Sequence, residues 1–386
     1  MSTATLPITN VVTVSISNPL AGLADYQINN LAIFTKEAPV NMALTATNPG
    51  IYLSPAAVGV DWGASSEVYA QSIAIFSQTP CILDGGGSLV IFPIQSGDTL
   101  STVIPAGLAV AQFGGALYAG YAPADAELEA AQPVAETNRV MVFGSQYQTS
   151  ALTVSTGVWA IIAAASPAYS QFRKLLYTQA GTALGARLMA AAYAGTFMSV
   201  NFGGTNTAAT MNLRQLTGIT PDVGITQTFL TRCQAIGVDC YPTIAGRASV
   251  ISSDGGNGFA DNVYNENWLV FALGVAGFNA LAEIGTKIPQ TEAGVAILRG
   301  AYIDVLKQGV ANGFLAPGQW NAPQPGFGNP AALLSNIAQQ GWYIYSVPVA
   351  LQSQTDRAAR KAPLISIAVK FAGAIHSSNV VIFVNP

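Results

Sequence analysis

Residues 380–384 (VVIFV) are apolar at every position, and a strand built this way has two faces to bury. It cannot lie on a wet surface. At the other end Val12, Val14 and Ile16 alternate with Thr13, Ser15 and Ser17 until Asn18-Pro19 stops the run, which is the period-2 pattern of a half-buried strand. Chain ends ordinarily fray. Strands at both ends therefore have two uses. They close the chain's own sheet, or they cross to a neighbour and complete its sheet by strand addition.

Between the ends, strand and helix signals alternate, so the spacing predicts an α/β layer arrangement. Residues 31–34 read as a buried strand, and 66–76 as a helix capped by Ser65 or Ser66. Residues 139–143 read as a strand, 171–193 as an Ala/Leu-rich helical stretch, and 229–236 as a helix that Gly237 ends. The plainest helix starts near Glu292, after Pro289, and closes at Asn312-Gly313. Its Val295, Leu298, Tyr302, Val305 and Val310 keep helical spacing and share a face. A Pro/Gly-rich loop over 317–330 follows, then a strand in which Ile365, Ile367, Val369 and Phe371 alternate with Ser366, Ala368 and Lys370. Residues 85–136, opened by Gly85-Gly86-Gly87 and punctuated by Gly and Pro, read as a small β-rich insert.

The chemistry legible in the chain is sparse. Fifteen Lys and Arg with 19 Asp and Glu make 9% of the 386 residues, against roughly 25% in an ordinary soluble domain. With 51% hydrophobic residues the chain is not disordered. A net charge of −4 argues against nucleic-acid binding by bulk charge. A surface so poor in charge suits a protein that hides much of its exterior in an assembly. Three cysteines without a CxxC pair and one histidine offer no zinc or redox motif, and His376 reads as structural. P-loop, GxGxxG and GxSxG patterns are absent, and Asp254, Asn257, Asp261 and Glu266 read as a plain polar loop rather than a calcium loop. An enzyme and a bound cofactor are not expected. No run is long and apolar enough to predict a membrane span, and no basic residue precedes Lys36, so neither insertion nor a secretory signal is expected.

The charge is also unevenly placed, with one base against ten acids up to residue 136 and 14 bases against nine acids beyond it. Residues 353–361 suit a short helix ended before Pro363. Its Arg357, Arg360 and Lys361 would project from one face, either into solvent, toward acids such as those at 125–136, or toward an acidic partner.

Several runs are similar to one family. They are 287–294 (KIPQTEAG), 309–313 (GVANG) with 316–318 (APG), 325–328 (PGFG), 341–345 (GWYIY), 352–357 (QSQTDR) with 360–363 (RKAP), and 372–376 (AGAIH). Ser66-Glu67, residues 76–78 with Pro80, Asn201-Phe202 and residues 213–217 also fit. In combination they resemble the sheath proteins of contractile bacteriophage tails, in the short form of many phages and prophages; residues 85–136 depart from that pattern. The resemblance implies a multi-domain α/β (α+β) subunit with mixed sheets flanked by helices. It implies a strand arm at 1–20 joined to an inner domain over 233–386, with a second arm from about 377. Residues 21–84 and 137–232 would form an outer α/β domain. The implied function is a helical tube around the inner tail tube that contracts to drive it through a bacterial envelope. Partners would be further copies, through arms at Val12, Val14, Ile16, Val380, Ile382 and Val384, the tail tube, and baseplate and tail terminator proteins. Arg357, Arg360 and Lys361 would face the tube. The place would be the virion tail, assembled in the host cytoplasm. The alternatives are an α/β enzyme or ligand-binding module with an unrecognised site, or another self-assembling virion protein such as a tail tube or shell subunit.

Overall fold

Strand β1 (Leu31–Thr35) is buried at all five positions, as a strand covered on both faces must be. It is the third strand of a seven-stranded sheet in a computed structural model that describes residues 27–165, 169–254, 258–323 and 326–378. The other strands are β2 (Gly50–Tyr52), β3 (Leu89–Pro93), β4 (Gly115–Ala119), β5 (Met141–Gln146), β6 (Phe172–Leu176) and β7 (Val238–Cys240), in the order β2-β3-β1-β4-β5-β6-β7. All pairs are parallel except β2 with β3, which makes the sheet mixed. The register sets Leu31 beside Leu89 on one side and Gly115 on the other. The terminal strand expectations at Val12, Val14 and Ile16 and at Val380, Ile382 and Val384 lie outside the described residues.

Helices cover both faces, as a parallel sheet requires. On one face lie α1 (Pro55–Trp62), α2 (Glu67–Phe76) and α6 (Ala183–Phe197); on the other lie α3 (Leu100–Leu108), α4 (Asp125–Asn138), α5 (Val158–Ala163) and α7 (Gln227–Ile236). Ser66 caps α2 through its side chain as expected, and the Glu37 carboxylate accepts from the free N–H groups of Glu67 and Val68 (2.9 and 3.0 Å). Glu67 in turn holds Arg187 of α6 by a two-point ion pair, one arm of which is 2.8 Å. Gly195 lets α6 press against α2, because a Cβ there would strike the Ile75 carbonyl at 2.8 Å.

Two sequence expectations change here. Residues 85–136 are not a β-rich insert: they supply two strands flanking β1 and two helices of the covering layer. Their Gly and Pro residues read as breaks, yet Pro105 sits inside α3 and Pro133 inside α4. Residues 171–193 are likewise not one helix. Phe172–Leu176 is an interior strand, and the helix starts only at Ala183. Arg173 and Lys174 disguise that strand, being charged yet 3% and 2% exposed.

After β7, a small hairpin of β8 (Thr243–Ile244) and β9 (Arg247–Ala248) leads to α8 (Ala260–Ala282) and then α9 (Glu292–Asn312), α10 (Pro330–Gln340), β10 (Trp342–Ser346), α11 (Gln354–Ala358) and β11 (Ile365–Val369). Asp261 and Glu266, expected in a loop, lie on α8, whose polar first half hides its helical period in the sequence. That half packs on the sheet. Asn267 and Gln171 exchange two hydrogen bonds (2.7 and 2.9 Å), Tyr264 Oη donates to Asn29 Oδ1 (3.0 Å), and Arg139 pairs with Glu266 (3.0 Å). No described helix is long and apolar enough to cross a membrane.

Candidate assembly surface

The strands β10 and β11 form a two-stranded antiparallel sheet with Tyr343 opposite Ala368 and Tyr345 opposite Ser366. Lys370 N donates to Gly341 O (2.8 Å) and Val347 N to Leu364 O (3.0 Å). The antiparallel alternation then fixes which backbone groups pair. Ser366 and Ala368 bond to β10, while Ile365, Ile367 and Val369 turn their N–H and C=O groups outward. Those outward groups have no partner among the described residues. The side chains of Ile365, Ile367 and Val369 are only partly buried. The opposite edge, along β10, is partly occupied. Arg299 Nη2 donates to Ile344 O (3.4 Å) and Gln340 Nε2 to Trp342 O (3.1 Å).

An unpaired edge presents its N–H and C=O groups to water or to another strand, and a two-stranded sheet alone is marginal in water. What holds this one is its backing. Phe314 and Leu315 reach it from the end of α9, with Ala316 N donating to Lys370 O (3.1 Å) and Ala372 N to Phe314 O (2.8 Å). Phe202 and Trp268 stack at 5.1 Å, and Phe314 meets both edge-on, so the hairpin is anchored through an aromatic cluster to α8.

The runs singled out in the sequence converge on this surface. In KIPQTEAG, Thr291 caps α9 and Gln290 Nε2 donates to Lys361 O (3.1 Å). Glu292 Oε1 accepts from Val349 N (2.7 Å), so the run clamps the excursion between β10 and β11. Gly341 has φ +81°, and a Cβ there would strike the Ala316 carbonyl oxygen at 2.7 Å, so the position is closed to any side chain. Gly328 lies against the Tyr345 ring. His376 bonds Thr210 (3.1 Å) and sits edge-on to Phe259, so it ties the chain's last described stretch to the body. Nothing in the local pattern marks Arg299 or Glu292 as clamps, because each acts on a backbone group far along the chain.

The basic cluster lies on the same excursion with a different geometry from that expected. Only Arg357 is helical: α11 ends at Ala358, Arg360 adopts a left-handed φ of +54°, and Lys361 lies beyond it. The three side chains are exposed but do not share a helical face. Asp356 explains the early stop. It takes the Ser353 hydroxyl (2.7 Å) at the helix start and the Lys361 ammonium (3.4 Å) as the chain folds back. The Ser353 hydroxyl first, then Lys361, holds the Asp356 carboxyl below its usual pKa.

No described group of three or more His, Cys, Asp or Glu side chains could hold a metal ion. Residues 260–384 match the family described as E217 tail sheath protein gp31-like, C-terminal domain. Those residues hold α8 through β11, the part that builds the surface. Among solved structures, a chain of the cryo-EM structure of the anti-feeding prophage (AFP) baseplate, 6-fold symmetrised, is similar in fold, with TM-score 0.64 and 12% identity. The likeness covers 97% of this chain and 98% of that one, so it spans body and C-terminal part together. No curated protein matches the sequence.

Proposed function

We propose that this chain, whose last third carries a contractile tail sheath C-terminal domain, is a structural subunit that polymerises into a sheath around an inner tube. The carrying observation is the outward edge of β11, which has hydrogen-bonding groups and no described partner. In this reading terminal arms of neighbouring copies, at Val12, Val14 and Ile16 and at Val380, Ile382 and Val384, add strands to that edge. Four to six ladder bonds at about 1 kcal/mol each would give several kcal/mol per linkage. Contraction would then reorganise whole subunits while the strand linkages persist, a rigid-body change between two packings. The tube lies on the inside, and baseplate and terminator proteins meet the two ends. The place of work is the virion tail.

The match to a baseplate structure supports a second reading, a short ring at the tail's base rather than a long tube. Electron microscopy of purified protein separates them as tubes against single rings. Removing residues 1–18 or 378–386 should leave folded, unassembled subunits by either reading. Normal assemblies from both truncations would refute strand exchange.

A further inference from the structure

The last described stretch of the chain is a strap with two footings. At one end Phe371 bridges Leu315, and Ala372 N donates to Phe314 O (2.8 Å), so the strap leaves firmly from the C-terminal sheet. At the other end His376, the chain's one histidine, bonds Thr210 Oγ1 through Nε2 (3.1 Å) and stands edge-on to Phe259 with ring centres 4.7 Å apart. Asn212 Nδ2 adds a long bond to His376 O (3.5 Å). Between the footings Gly373, Ala374 and Ile375 are exposed, Ile375 at 92%. Gly373 turns the strap with a φ of +66°, and a Cβ there would meet nothing within 4 Å.

The dock under His376 is built more firmly than the strap upon it. Leu213 N donates to Val250 O and Val250 N to Arg214 O (both 2.8 Å). Asn212 Oδ1 accepts from Ser252 N (3.2 Å), and Arg214 Nε donates to Thr210 O (3.2 Å). A pull on the chain end therefore frees the imidazole before it disturbs the dock, because the strap has the fewer contacts to lose. Peeling then stops at Ala372, whose backbone is paired with Phe314. What it releases is length. With His376 docked, three residues (377–379) separate the dock from Val380 and span at most about 11 Å. With His376 free, seven residues (373–379) separate the footing at Ala372 from Val380 and span at most about 25 Å.

We infer that His376 is a latch that stores slack for the C-terminal arm, closed in one packing of neighbouring subunits and open in the other. The slack role rests on the assembly reading above; the latch itself does not. Linkages that persist while whole subunits shift must bridge a changing gap, and the chain between body and arm has to supply the difference. Spin labels at Val60→Cys, exposed on α1, and Ser378→Cys should give one narrow distance in the full-length subunit. That distance should broaden when His376→Ala is added; the native cysteines are buried and stay unlabelled. An unchanged distribution overturns the latch. For the slack, Thr210→Cys and His376→Cys joined by a short bis-maleimide lock the strap down. Locked subunits should fail to assemble or fail to shorten in mild denaturant, and Gly-Ser-Gly-Ser inserted after Ser378 should restore what the lock removed. Locked sheaths that shorten fully, or a block that the insert leaves in place, overturn the slack role. If the unaltered protein forms no sheath, the slack role falls with the assembly reading, and the label distances still decide the latch.

Discussion

The seven-stranded body and the C-terminal sheet meet the same physical demand in opposite ways. In the body, β1, β4 and β6 are buried at every position. The β7 edge is closed by Ile251, whose N and O both bond Cys240 (2.9 and 3.3 Å). The chain supplies its own partner at that edge, while β2 at the other edge pairs only with β3. In the C-terminal part, β11 is buried only at Ala368 and keeps an unpaired edge. A natural protein does not leave such an edge open at no cost, because it templates aggregation. In the proposed function the body supplies the stability and the small sheet takes strands from neighbouring copies.

The sharpest break of this comparison is a single proline. Ile367 turns its N–H away from β10, so Ile367→Pro removes an outward donor and spares the ladder, the placement in which edge proline is tolerated. The subunit should remain folded by circular dichroism while assembly is lost in electron microscopy. Ala368→Pro, one residue on, deletes a bond to β10 and should unfold the hairpin. If both variants assemble, the edge is not the linkage. In the body the largest effect should come from Glu67→Ala. Its ion pair with Arg187 is buried, each side chain being 10% exposed, and removing one partner strands the other. A loss of about 3–5 kcal/mol in denaturant unfolding is expected, with no change in the assembled form of what remains folded.

A smaller test concerns Lys174, which burial, with Arg173 beside it, lowers from 10.5 to about 8. It forms no ion pair among the described residues. Between pH 8 and 10.5 the unfolded chain holds a proton that the folded chain has released, so this residue makes stability rise with pH across that window. Lys174→Met should flatten that rise and stabilise the protein below pH 8 by about 3 kcal/mol. A variant that unfolds at the same denaturant concentration at pH 7 would show that the site solvates its ammonium.

How much of this was legible follows from where each signal resides. The caps and stops of α2, α7 and α9 lie within a few residues of the helices they bound, and Ser66, Gly237 and Gly313 act where the sequence placed them. The alternation in β11 was equally local. The first half of α8 and the strand β6 were missed because their polar residues find partners far away: Asn267 on Gln171, and Arg173 on the Gly258 carbonyl (3.2 Å). Those pairings exist only after folding. The open edge itself belongs to the same class, since a strand's alternation says which residues face a core and not whether a neighbour lies beside it.

The smallest expected effect tests the excursion between β10 and β11. Arg357, Arg360 and Lys361 were expected to act as one basic face, but the geometry separates them. Lys361 meets Asp356 at 3.4 Å, and both side chains are well exposed, 68% and 45%. Exposed pairs contribute little to stability, so Lys361→Gln should leave both folding and assembly nearly unchanged. Arg357 and Arg360 form no ion pair among the described residues and remain free to meet an acidic surface. Replacing both by Gln should change subunit stability by less than about 0.5 kcal/mol, yet weaken assembly on a preformed tube. The weakening should shrink as salt rises through about 0.15 M, where the screening length falls to about 8 Å. Sheath-only assembly should be unaffected. Equal effects from Lys361→Gln and from the double arginine variant would mean that net charge alone matters, and a double variant that templates normally across the salt series would remove the tube from this surface.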